Sequence, residues 1–160
     1  MTPTKAELEA LLARVEAAQG PNRELDATIA AMCRVAPIEH EKWALKYPKW
    51  IARSDGRIQL EKHGPGFEAP SLTASIDAAL GLVPPNWTAF FLRSRQRKTA
   101  FVFEMTRLTA ADEMDALRDN DDGDYWSDSN EDHCRAHGPT IPLAILAAVL
   151  RALIAERADG

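Results

Sequence analysis

The first third of the chain alternates apolar and polar residues at helical spacing. Leu8, Leu11, Leu12 and Val15 form one stripe, and Gly20-Pro21 stops it just beyond. Asn22 is placed to cap a second helix, with Glu24 and Asp26 in its first turn and Leu25, Ile29, Met32 and Cys33 facing inward. The pattern predicts a helical hairpin. Residues 36–50 break it: Pro37 and Pro48 with Trp43, Tyr47 and Trp50 predict an irregular segment that lays its rings on a core.

The period then shortens. Strands are expected near 50–53 and 57–61 around Ser54-Asp55-Gly56, because an Asp-Gly turn supplies the positive φ of a tight hairpin. Gly64, Pro65, Gly66 and Pro70 read as a loop. Ser71 or Thr73 can cap a third helix with Leu72, Ile76, Ala79, Leu80 and Val83 inward, ended by Pro84-Pro85-Asn86. A second hairpin follows, with strands near 87–93 and 99–107; Phe101, Phe103 and Met105 share one of its faces. Thr140 caps a last helix with Leu143, Leu146, Ala147, Leu150 and Ile154 inward. The order α-α-β-β-α-β-β-α predicts an α+β protein, an α/β/α sandwich in which the two hairpins join as one four-stranded antiparallel sheet.

Residues 109–137 follow neither period. They hold ten acids against Arg118 and Arg135, a local −8; the whole chain is −5, so the remainder is +3. A long acidic surface loop is expected there, inserted in a single domain over 1–160. With 46% apolar and 27% charged residues the chain can bury a core without staples. Its two cysteines, Cys33 and Cys134, suggest reduced thiols and a cytoplasmic setting. Lys5 to Glu16 lacks the apolar run of a signal peptide, and the apolar run Ile141 to Ile154 is shorter than the roughly 20 residues a membrane span needs.

Two strings, GPNRELDATIA (Gly20 to Ala30) and PSLTASIDAALGLVPPNW (Pro70 to Trp87), supported by TIPLAILAAVLRA (Thr140 to Ala152), carry a family resemblance. Together they resemble the phage ABA sandwich domain family, small proteins of phages and prophages. The resemblance covers most of the chain and implies an α/β/α sandwich and a phage or prophage setting in a host cell. It implies no activity. It also makes Leu25, Ile29, Ile76 and Leu80 core residues, with Pro70 and Pro84 bracketing a helix. The 109–137 segment departs from the family pattern by its length.

Candidate chemistry is sparse. His133, Cys134 and His137 have zinc-type donors, but a structural site needs about four ligands and the others would come from Cys33, His40 or His63. The run is read as the polar end of a loop, with no metal or cofactor. Asp119 to Asp124 suggests calcium; yet with Gly123 at the sixth position of an EF-hand loop, Arg118 stands first and Ser129 twelfth, and the register fails. Glu39-His40-Glu41 is the best acid–base cluster, without a phosphate loop or nucleophile elbow elsewhere, so no enzyme is expected.

Binding remains. Asp119, Asp121, Asp122 and Asp124 around Tyr125 and Trp126 suit a protein partner with a basic surface, since rings can be buried while carboxylates steer the approach. A sharper version has this loop imitate nucleic-acid charge and block a host defence protein. The alternative is nucleic-acid binding by Arg93, Arg95, Arg97 and Lys98, which the acidic net charge opposes.

Overall fold

Thr4 begins helix α1 (Lys5–Ala17) with a reciprocal cap. Its Oγ1 accepts from the Glu7 N–H, and its own N–H donates to Glu7 Oε2 at 2.7 Å. Leu8, Leu11 and Val15 are buried as their spacing requires. Asn22 caps α2 (Arg23–Cys33) by accepting from the Leu25 N–H at 2.9 Å, and Leu25, Ala27, Ile29 and Ala30 pack inward. The computed structural model describes residues 3–61, 64–92, 101–107 and 133–158.

The segment expected to be irregular contains a short helix, α3 (Ile38–Ala44). Trp50 packs after it, its Nε1–H shared between the Ala44 and Tyr47 carbonyls at 3.2 Å each. Strands β1 (Trp50–Ala52) and β2 (Arg57–Leu60) form the expected Asp-Gly hairpin, with Gly56 at φ 84°. A third strand, β3 (Gly66–Glu68), pairs antiparallel with β2 where the sequence reads as a loop. Its neighbours Gly64 and Pro65 hide it, but Phe67 is buried and holds it on the sheet.

Helix α4 (Ile76–Leu80) is shorter than its apolar pattern and is capped by Ser75, not by Ser71 or Thr73. Residues 72–74 form a turn, and Ile76, expected in the core, is 39% exposed. Strands β4 (Trp87–Leu92) and β5 (Phe101–Arg107) pair antiparallel as expected. A further strand, β6 (His133–Gly138), pairs with β5. The chain ends in α5 (Ile141–Ala158), whose Leu143 N–H meets Thr140 Oγ1 at 3.4 Å.

The protein is therefore mixed α+β, with five helices among the described residues. Its two hairpins do not join into one four-stranded sheet there. Each gains its own third strand, giving two antiparallel sheets ordered β1-β2-β3 and β4-β5-β6. The most enclosed element is a helix: every residue of α5 from Pro142 to Leu150 is buried. Strands β5 and β6 cover it on one side, and α1 and α4 on others, while α2 packs on β1 and β2. A helix apolar on all sides needs such a cover. At Gly138 a Cβ would stand 2.7 Å from the Ala144 backbone nitrogen, so the β6–α5 approach needs a glycine. Arg151 ties the layers by donating to the Arg135 carbonyl and pairing with Glu16 at 2.7 Å. No helix among the described residues is long and apolar enough to cross a membrane.

The first two resemblance strings meet in space. Asp26, 1% exposed, accepts from the Thr73 N–H at 2.7 Å through Oδ1 and from Arg23 at 3.0 Å through Oδ2. Arg23 also reaches Ser71 Oγ and the Ala69 carbonyl, and the Asn22 N–H donates to Thr73 Oγ1 at 2.8 Å. Arg23 in turn lies against Gly56, where a Cβ would come within 2.8 Å of the Arg23 Cβ. This polar clasp joins α2, the β1–β2 turn and the approach to α4. Its residues are structural.

Candidate functional site

Asp119, Asp121, Asp122, Asp124, Tyr125 and Trp126 lie outside the described residues, and so do Arg93, Arg95, Arg97 and Lys98. What the fold defines is where each segment leaves and rejoins it. Pairing of β5 with β6 runs to Thr106↔His133, so residues 108–132 connect two adjacent, directly paired strands. Pairing of β4 with β5 runs to Leu92↔Val102, so residues 93–100 connect the other end. The two charged segments are thus anchored at opposite ends of β5, about 20 Å apart at strand rise.

The acidic anchor is firm. Trp87 pairs with Arg107 across the sheet and is 4% exposed. Its indole N–H donates to Glu156 Oε1 at 3.0 Å, and the Arg107 guanidinium lies 5.4 Å from its ring centre. Asn86 donates to the same carboxylate at 3.2 Å. The last turn of α5 is thereby pinned to the base of the hairpin from which the acidic segment departs.

Residues 133–137, read from the sequence as a loop end, are a core strand. Side chains alternate along a strand, and the burial follows: Cys134 and Ala136 face the core, whereas Arg135 and His137 are exposed. Cys134 and His137 therefore point to opposite faces and cannot share one metal ion. The acidic connection proper ends at Asp132. Of the acid–base cluster, Glu39 and Glu41 are exposed, while His40 packs its ring 5.5 Å from that of Phe67. Burial pushes the Cys33 thiol up to about 11, so it stays a protonated thiol in neutral solution.

One concave site was not anticipated. A cleft of about 650 Å³ opens at the C-terminal end of α2, between the start of α1 and β1. Arg34, the C-cap of α2, takes the left-handed conformation at φ 61°. Its guanidinium donates to the Tyr47 carbonyl at 2.7 Å and the Pro48 carbonyl at 3.1 Å and lies 4.6 Å from the Trp50 ring centre. The ring of Phe67 meets Trp50 edge-on at 5.4 Å. The sequence carries a sign of this, the interleaving of Lys46, Tyr47, Lys49 and Trp50, but assigns those rings only to packing. Comparison with family models, curated proteins and solved structures returns no match.

Proposed function

We propose that the chain is a non-catalytic binding protein, of phage or prophage origin as its sequence resemblance suggests, that holds a basic protein partner through residues 108–132. The observation that supports this is the anchoring of that segment. Strands paired as closely as Thr106↔His133 are joined in hairpins by roughly 2–5 residues. Here some two dozen intervene, with ten acids against Arg118, a charge of −9. Closing the hairpin explains neither the length nor the charge. A surface occupying the nucleic-acid site of a host defence protein is the specific form of this reading.

The test is capture from host lysate with the intact chain and with residues 110–130 replaced by a short Gly-Ser turn. The partner should be retained by the first and lost by the second. Changing Asp119, Asp121, Asp122 and Asp124 to Asn should slow association and flatten its salt dependence, because at physiological salt charges act over about 8 Å. Trp126→Ala should mainly speed dissociation. The second reading, nucleic-acid binding through Arg93, Arg95, Arg97 and Lys98 at the opposite end of β5, predicts the reverse: acid removal strengthens binding and arginine removal abolishes it. Unchanged or faster association after acid removal refutes the first reading.

A further inference from the structure

A second cavity of about 530 Å³ neighbours the cleft beside Trp50, and the two share Pro3, Met32 and Arg34 in their walls. Both lie at the C-terminal end of α2 and count together as one groove. Three cations line it, Arg34, Lys49 and Arg157. The carboxylate among the lining residues, Glu7, is engaged by the Thr4 N–H at 2.7 Å and the Thr4 hydroxyl at 2.9 Å. The rest of the wall is mainly apolar, including Met32, Val35, Leu82 and Trp50. Mainly apolar walls with a few placed polar groups, at this volume, are the ordinary form of a small-ligand site.

The charge sets the ligand's sign, and the Arg34–Trp50 pair sets its shape. Arg34 is held over the indole by the Tyr47 and Pro48 carbonyls, which use two of its five N–H donors. The planar group is thus fixed before any ligand arrives, so little rotamer freedom is lost on binding. Bases stack on aromatic rings and on guanidinium planes alike, and a lysine ammonium beside such a platform is a natural phosphate contact. Lys49 lines the same cleft and is exposed, and Lys46 and Arg53, also exposed, flank it in sequence.

We infer that this groove binds a nucleotide unit, with the base against the Arg34–Trp50 pair and the phosphate at Lys49. The site is independent of residues 108–132 and of the protein-binding role proposed for them. Calorimetric titration of the full chain tests it with AMP, adenosine, inorganic phosphate and a single-stranded octanucleotide. AMP should bind, with adenosine at least about tenfold weaker, the size expected when one charge-assisted contact is absent, and inorganic phosphate at least about tenfold weaker because base stacking is absent. Lys49→Glu should weaken AMP about tenfold, leave adenosine unchanged and leave the unfolding midpoint intact, because Lys49 is exposed. Arg34→Ala should weaken AMP and adenosine together; should that variant fail to fold, Lys49→Glu decides alone. An octanucleotide bound more tightly than AMP, with steep salt dependence, supports a strand as the source; equal or weaker binding supports a free nucleotide. Absence of AMP and octanucleotide binding at millimolar concentration overturns the inference, as does binding indifferent to Lys49→Glu.

Discussion

Replacing Asp26 tests whether the polar clasp holds α2 to the approach of α4. Asp26→Ala removes the acceptor of the Thr73 N–H, and Thr73 is fully buried. A buried donor left without a partner costs about 1–3 kcal/mol. The ion pair with Arg23 adds less, because the Arg23 side chain is 42% exposed and solvent screens it, so about 1 kcal/mol at most is expected. The total is about 1–4 kcal/mol. Asp26→Asn keeps an oxygen for the Thr73 N–H and gives up only the charge facing Arg23, so about 1 kcal/mol at most is expected. Urea unfolding of both variants and the parent, with equal m-values, measures the two differences. If alanine and asparagine cost the same, the Thr73 hydrogen bond is not the dominant part of the clasp. If both cost less than about 0.5 kcal/mol, in the range of ordinary surface changes, the clasp is not structural.

Gly56→Ala should destabilise by about 2–3 kcal/mol, since it sets a side chain at positive φ and drives a Cβ against Arg23; a thermal shift below that of a Gly20→Ala control, where an added Cβ meets nothing within 4 Å, would refute this. Cys33 has a folded pKa raised above its unfolded value, so its contribution is intact below about pH 9 and is lost as pH rises toward about 11. Cys33→Ala should flatten the stability profile in that window, and native protein should react slowly with a thiol reagent at neutral pH. Replacing residues 110–130 by a short turn should leave cooperative unfolding and change stability by only about 1 kcal/mol, because loop closure depends weakly on length. Extending the replacement through residue 136 should abolish cooperative unfolding by removing Cys134 and Ala136 from the core.

Local rules account for what the sequence made legible. Caps at Asn22 and Thr140, the Asp-Gly turn and the apolar stripes of α1 and α2 depend on neighbours a few residues away, and all are formed. The four strands expected near 50–53, 57–61, 87–93 and 99–107 are formed for the same reason. Strands β3 and β6 escaped because a short edge strand depends on a partner distant in sequence. Phe67 sits among glycines and prolines, and Cys134 and Ala136 are framed by charged and polar residues. Only pairing with β2 and β5 makes extended backbone favourable there.

The acidic segment was conspicuous as composition, but tertiary structure alone decided that it leaves and rejoins at paired positions of one hairpin. The same holds for Arg34. A left-handed arginine at the end of α2 has no local signature; the Tyr47 and Pro48 carbonyls and the face of Trp50, thirteen to sixteen residues away, hold it there. The division between sequence and packing is plainest at α5 (Ile141–Ala158). The sequence determined that residues 142–150 of this helix are apolar throughout, and the packing decided that every residue of that stretch is covered, by β5 and β6, by α1 and by α4. A helix without a polar face has no solvent side to offer, so the core forms around it.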